Sequence, residues 1–309
     1  MRILVLVGPT ASGKTEVACE ISRHLPVEMI SCDSMQVYRS MPIVTQAPSL
    51  RVSRRLRAHL VSFLEPSLEY SAARFRKDVM TLVPQIVKRK RVPLLVGGTG
   101  LYLRAWMDGL FETDREKPAK DEALRKKLLL EQEKHGGDHL YERLKAVDPK
   151  AAEKIHPHDF RRLIRALEVY LLTRKPISEL QRGRQGIRGT WPHRIFLLER
   201  TRPDLYARIH ARVDTMIAGG LVEEVRELSK KKLSLTAGVA LGIREIQNYL
   251  SGNLTLEEAK ELLKKNTRHY AKRQLSWFRH EKGVETVSVE PGESPSKTAD
   301  KILKLWRAF

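Results

Sequence analysis

The chain is poor in cysteine, in aromatic residues, in long apolar runs and in acidic groups, and each shortage excludes something. Two cysteines, Cys19 and Cys32, in 309 residues cannot build a disulfide framework, so a disulfide-stapled secreted fold is excluded and a reducing compartment is expected. No apolar stretch approaches the roughly 20 residues of a membrane-spanning helix. The apolar run after Met1-Arg2 lasts five residues and meets Gly8-Pro9, which is not the pattern of a signal peptide. A cytoplasmic protein with no membrane role is therefore expected. Asp and Glu together number 37 against 57 Lys and Arg, a formal net charge of +20. With 41% hydrophobic residues, the chain is too apolar for a disordered polycation and long enough to bury a proper core. The excess charge points instead to a polyanionic partner such as nucleic acid. Repeats and low-complexity segments are missing too.

What is present is a strand–loop–helix rhythm. Ile3 to Val7 is a continuous apolar run, the mark of a buried parallel strand. Lys14 to Leu25 follows with a helical stripe of Val17, Ala18, Ile21 and Leu25. Val27 to Ile30 and Val92 to Val96 read as further strands, and Ser71 to Lys88 as a helix with Pro84 a candidate kink. This pattern predicts an α/β fold with a parallel sheet. From Glu112 to about His193 the pattern predicts helices alone, capped by Asp121, Asp138 and Asp159. Ile195 to Leu198 is strand-like again. Helices then return, among them one opened by the capping box Thr255-Leu256-Glu257-Glu258, before a last strand over Glu285–Val289 and a closing helix over Thr298–Phe309. The organisation expected is an α/β core interrupted by a helical insertion.

Gly8-Pro9-Thr10-Ala11-Ser12-Gly13-Lys14-Thr15 has the spacing of a P-loop and sits between a buried strand and a helix, where a P-loop belongs. Glycines let the chain curl so that backbone N–H groups and the helix N-terminus face a phosphate. Lys14 adds a point charge, and the Thr15 hydroxyl suits Mg²⁺. An NTPase normally adds a second strand ending in an acid, but Val92–Val96 ends in Gly97-Gly98-Thr99-Gly100. The one acid at a strand end near the P-loop is Asp33, a metal ligand, a general base or a turn cap. Gln36 carries an amide able to pair with an adenine edge. Arg208 and Arg212 lie one turn apart on a predicted helix, by default a solvated face. His156-Pro157-His158 is a poor metal site, because Pro157 separates the histidines and Asp159 serves better as a cap. Lys264, Arg268, Lys272 and Arg279, interleaved with Tyr270, Trp277 and Phe278, form a basic helix suited to phosphate backbones and stacked bases.

Together these strings resemble the tRNA dimethylallyltransferase (tRNA isopentenyltransferase) family. The matching strings are the P-loop, Asp33-Ser34-Met35-Gln36-Val37-Tyr38, Val96-Gly97-Gly98-Thr99-Gly100-Leu101-Tyr102, and His156-Pro157 with Asp159. They continue through Arg165-Ala166-Leu167-Glu168-Val169, Gly220-Leu221-Val222-Glu223-Glu224-Val225, and Thr267-Arg268 running to Trp277-Phe278-Arg279, in the family's order. The chain departs at Gln46-Ala47-Pro48, where the family has Ala-Lys-Pro, and at Gly242-Ile243, where it has Gly-Tyr.

The resemblance implies a P-loop NTPase-like, nucleotide-binding (ATP-binding) type of core over 1–112 and 197–309, with a helical tRNA-binding insertion over 113–196. It implies transfer of a dimethylallyl group from dimethylallyl diphosphate to the exocyclic amine of the adenosine 3′ to a tRNA anticodon. Asp33 would be the general base. Gly8 to Thr15 would cradle the diphosphate, with Thr10, Lys14 and Arg212 acting on it, and Thr15 would serve Mg²⁺. Asp33, Ser34, Met35, Gln36, Thr99, Asp121, Arg161, Arg162, Arg244, Lys272, Arg273, Gln274, Trp277 and Arg279 would contact tRNA in its anticodon stem-loop. A monomer is expected. The runner-up is a P-loop kinase, which would need a lid rich in arginines that is not evident; a third reading is a nucleotide-gated RNA-binding module.

Overall fold

All five residues of Ile3–Val7 are buried, so this strand has protein on both faces, as the unbroken apolar run requires. The computed structural model describes residues 2–111 and 121–309. Their elements, in chain order, begin β1 (Ile3–Val7), α1 (Lys14–His24), β2 (Val27–Cys32), α2 (Pro42–Thr45), α3 (Leu50–Leu56), α4 (Ala72–Lys88), β3 (Val92–Gly97) and α5 (Gly100–Met107). Five helices follow, α6 (Glu122–His135), α7 (His139–Val147), α8 (Pro149–Ala152), α9 (Phe160–Thr173) and α10 (Ile177–Leu180). The rest are β4 (His193–Arg200), α11 (Arg202–Ala218), α12 (Leu221–Ser229), α13 (Leu235–Gly238), α14 (Ile243–Leu250), α15 (Leu256–Arg279), β5 (Val284–Val289) and α16 (Pro295–Arg307).

The sheet has the order β2-β3-β1-β4-β5, and every pairing is parallel. One face packs Leu4, Leu6, Phe196 and Leu198 against Val17, Ala18 and Ile21 of α1 and Ile302, Leu303 and Trp306 of α16. Neighbouring strands end in register: Val7 pairs with both Gly97 and Leu197, and Cys32 with Gly97. The segments that follow β1, β2 and β3 therefore emerge side by side at the carboxyl edge, where open α/β sheets bind ligands.

Near the opposite end of β2, the carboxylate of Glu28 is 2% exposed. It accepts from Arg89 Nε (3.0 Å) and a terminal Arg89 nitrogen (2.6 Å) and meets His59 Nε2 at 2.9 Å. Arg91 and Arg57 stand 3.5 and 3.8 Å away. This ion cluster holds its carboxyl well below the usual range, at about 2, and ties α4 and the His59 segment to the sheet edge.

The Cα packing separates Met1–Met107 with Arg188–Phe309 from Asp108–Ile187. The latter unit is helical and has its own core of Leu128, Leu140, Leu144, Leu163 and Leu167. Within it, buried Glu168 accepts from Arg125, from Arg165 and from the Asp121 backbone N–H. The predicted change of texture at Glu112, and with it the 112/113 boundary, lies outside the described residues.

Local expectations differ from the structure in a few places. The strand predicted over Ile195–Leu198 extends to His193–Arg200, because pairing with β1 takes in His193 and Arg194 and pairing with β5 takes in Glu199 and Arg200. Pro84 sits inside α4. Asp121 and Asp159 cap α6 and α9 by accepting from Leu124 and Arg162 N–H. Asp138 makes no side-chain cap bond, whereas Asp148 caps α8 through the Ala151 N–H. The short helices α2 and α3 escape a periodicity reading altogether: four and seven residues are too few to show an apolar stripe.

Candidate active site

The P-loop leaves β1 at Val7 and re-enters helix at Lys14. Its turn needs two left-handed residues, Ala11 (φ 65°) and Gly13 (φ 97°); Gly13 meets this need at little cost. Lys14 folds back over the loop, its Nζ donating to the carbonyls of Gly8 (3.0 Å) and Pro9 (2.7 Å). Burial, helped by the nearby Arg212 charge, pushes its ammonium down to about 8.

Three arginines address the same loop. Arg200, ending β4, donates from Nε to the Ser12 carbonyl at 2.9 Å and pairs with Asp204 at 2.8 Å. Arg208 on α11 donates to the Ala11 carbonyl at 2.8 Å. Arg212, one turn further, donates to the Thr10 hydroxyl at 3.1 Å. The solvated-face default for Arg208 and Arg212 thus does not hold; both turn toward the P-loop. Arg200 was not singled out in the sequence. Its signal was a charge closing the buried strand Ile195-Phe196-Leu197-Leu198-Glu199-Arg200. With its carbonyls facing cations, the loop gathers positive charge of the kind suited to a di- or polyphosphate.

Across the carboxyl edge, Asp33 follows β2. Its Oδ1 accepts from the N–H of Met35 (2.8 Å) and of Gln36 (3.3 Å). Burial raises its carboxyl above the ordinary value, against those bonds and the Lys14 charge. Asp33 is therefore both a turn cap and a group whose charge is felt at Lys14. The Ser34 N–H donates to Thr99 Oγ1 at 3.0 Å, and the Thr99 N–H to the Cys32 carbonyl at 3.1 Å. Asp33-Ser34-Met35-Gln36 and Thr99 thus form one assembly beside the P-loop.

The amide of Gln36 is engaged within the protein: its Oε1 accepts from Ser31 Oγ (3.0 Å), and its Nε2 donates to the Gln46 carbonyl (3.2 Å). Gln274, on α15, is buried; its Oε1 accepts from the Thr10 N–H (2.8 Å), and its Nε2 donates to the Gly98 carbonyl (2.9 Å). Trp277 is half-buried beneath Arg104, whose guanidinium carbon lies 4.2 Å from its ring centroid. Arg279 pairs with Glu199. Lys272 and Arg273 on α15 and Arg244 on α14 are exposed. In the helical unit, Arg161 and Arg162 are exposed on α9, and Asp121 is the α6 cap.

Among the described residues no group of three or more His, Cys, Asp or Glu could hold a metal, and none of their helices is long and apolar enough to cross a membrane. A cation kept mostly by phosphate oxygens and water needs only one or two protein oxygens. The Thr15 hydroxyl, next to Lys14, is of the right kind.

Comparison with known proteins gives a consistent result. The chain matches the family of IPP transferases over residues 36–281 and that of isopentenyl transferases over residues 1–59. It is 40% identical over 309 residues to the tRNA dimethylallyltransferase of Halothermothrix orenii, covering 99% of this chain and 93% of that one. It is 45% identical over 305 residues to that of Alkalilimnicola ehrlichii, covering 97% and 94%. Among solved structures, the tRNA isopentenylpyrophosphate transferase of Bacillus halodurans superposes with a TM-score of 0.68 at 36% identity, over 98% of this chain and 96% of that one. A eukaryotic dimethylallyltransferase acting on tRNA gives a TM-score of 0.81 at 26% identity, over 98% and 77%.

Proposed function

The chain belongs to the IPP transferase family, and from that premise we propose that it transfers a dimethylallyl group from dimethylallyl diphosphate to the N6 amine of the adenosine 3′ to a tRNA anticodon. The observation that carries this reading is a P-loop onto which Arg208 and Arg212 turn, beside the Asp33–Thr99 assembly at the same sheet edge.

The chemistry asks for these two halves. The allylic C–O bond breaks with its electron pair leaving on the diphosphate, so negative charge grows on phosphate oxygens and positive charge on carbon. Lys14, the P-loop N–H groups and Arg212 with Thr10 meet the first charge as donors already fixed in place. The adenine amine is a weak nucleophile, because its lone pair is drawn into the ring. Its lone pair forms the new N–C bond while its proton passes to Asp33, a contribution of roughly 10²–10⁴-fold for a placed base. Mg²⁺, when bound with the diphosphate, would neutralise leaving-group charge; Thr15 Oγ1 would hold it. No water has to be aimed at a γ-phosphate, which accounts for the lack of a second strand acid.

The target base sits in a stacked loop and must be turned out, at a cost of a few kcal/mol. Exposed Lys272, Arg273 and Arg244, with Arg161 and Arg162 of the helical unit, are proposed to supply phosphate contacts that offset it. One chain is proposed to suffice, since both halves of the site come from the same chain. The test is incubation with an anticodon stem-loop RNA and either labelled dimethylallyl diphosphate or γ-labelled ATP. Label on RNA from the former supports the reading; label transferred only from ATP would replace it with a kinase.

A further inference from the structure

We propose that Gln274 is a positioning residue that sets the distance between the two halves of the site, rather than an RNA contact. The proposal rests on the transfer reading above. On the sequence, Gln274 sits in a basic helix between Arg273 and Trp277 and invites an RNA role. In the fold it is 6% exposed, and both ends of its amide are used. Its oxygen accepts from the N–H of Thr10 at 2.8 Å and its nitrogen donates to the carbonyl of Gly98 at 2.9 Å. One partner is a donor and the other an acceptor, so the amide has a single orientation here.

The two ends belong to different functions. Thr10 is the P-loop residue whose hydroxyl receives Arg212 at 3.1 Å, on the diphosphate side. Gly98 precedes Thr99, which receives the Ser34 N–H at 3.0 Å beside Asp33, on the base side. The amide therefore joins the loop after β1 to the loop after β3. The space it occupies is reserved for it: a Cβ on Gly98 would lie 2.2 Å from Gln274 Nε2 and 3.3 Å from the Gly8 carbonyl oxygen. A reaction between a bound allylic carbon and a bound amine depends steeply on their separation. A misplacement of about 1 Å can cost about 10²-fold.

The test compares the wild type with Gln274→Met, Gln274→Ala, Gly98→Ala and the double variant. Methionine keeps side-chain volume while removing both hydrogen bonds, and thermal melts check that the variant is folded. Gln274→Met should lower kcat by about 10–10²-fold while the dissociation constants for dimethylallyl diphosphate and the stem-loop RNA stay within about threefold. Gly98→Ala should be as damaging alone, yet add little to Gln274→Ala, which vacates the space. Unchanged kcat, or a weakened RNA affinity with kcat intact, would overturn the proposal and return Gln274 to the RNA surface. Equal Gly98→Ala effects in both backgrounds would overturn it too. The Gly98–Gln274 coupling is also read from thermal melts, where it must appear whatever reaction the enzyme runs. Failure of the wild type to label RNA would count against the transfer reading alone.

Discussion

Replacing Asp33 by asparagine isolates the proton-accepting role from the structural one. The carboxylate Oδ1 accepts two backbone N–H groups, from Met35 and Gln36, and an asparagine oxygen can accept both, so the turn that presents Ser34 to Thr99 is kept. What is lost is the ability to take the amine proton. A placed base contributes about 10²–10⁴-fold, or roughly 3–5 kcal/mol of barrier, and single-turnover rates should fall by that amount. Stem-loop affinity should stay within a few-fold. Asp33→Ala removes the turn bonds as well and should abolish transfer. The pH profile gives a second reading with a definite sign. Asp33 acts when unprotonated, and burial raises its pKa, so the wild-type rate falls on the acid side earlier than for an exposed carboxylate. Lys14 acts when protonated, and its pKa stands at about 8, so capture of the diphosphate by free enzyme weakens above that pH. Asp33 is one of the charges that raise Lys14. In Asp33→Asn the acid limb should vanish and the alkaline limb move to lower pH. The assay is rapid-quench transfer of labelled dimethylallyl diphosphate across the pH range. Turnover within about threefold of wild type, with the acid limb intact, would refute the general-base assignment, since a placed base is worth at least ~10²-fold.

Other expectations follow from the same contacts. Arg212→Ala removes the donor to Thr10 Oγ1 and a charge beside the leaving group; turnover should drop about 10²-fold with RNA affinity unchanged, measured by single-turnover kinetics and filter binding. Raising salt should weaken RNA binding steeply, as counterion release requires, yet weaken capture of the small diphosphate much less; equal slopes in a log–log plot would contradict the division of the +20 charge between two ligands. Glu28→Gln should lower stability in urea melts near neutral pH by up to roughly 3 kcal/mol. Because the folded carboxyl titrates at about 2 and the ordinary value is 4.5, that contribution is complete above the ordinary value and fades as pH falls through the folded one. The deficit should therefore shrink in acid.

The sequence made the ends of the strands legible and left the connections between them hidden. A run such as Ile3-Leu4-Val5-Leu6-Val7 followed by Gly8-Pro9-Thr10-Ala11-Ser12-Gly13-Lys14-Thr15 specifies its own local geometry, because a buried strand, a glycine turn and a helix N-terminus are short-range facts. Asp33 and Gly97-Gly98-Thr99-Gly100 were readable for the same reason. Their convergence required only the parallel rule that strand ends share one edge. The roles of Arg200, Arg208, Gln36 and Gln274 depended on tertiary pairing. Gln274 meets Thr10 at a separation of 264 residues and Gly98 at 176, and no periodicity relates those positions. A basic helix advertises its cations, and a neutral amide such as Gln274 among them looks like part of the same surface. Burial is what separates it. A polar side chain with no access to water must spend its hydrogen bonds on the protein, and those bonds identify what it holds together. At this site the cations on α15 and the amide on the same helix thus answer to different forces. Lys272 and Arg273 remain outside, exposed to water, whereas Lys264 of the same helix is buried. The amide turns in, where two loop ends need a bridge of one length and one polarity.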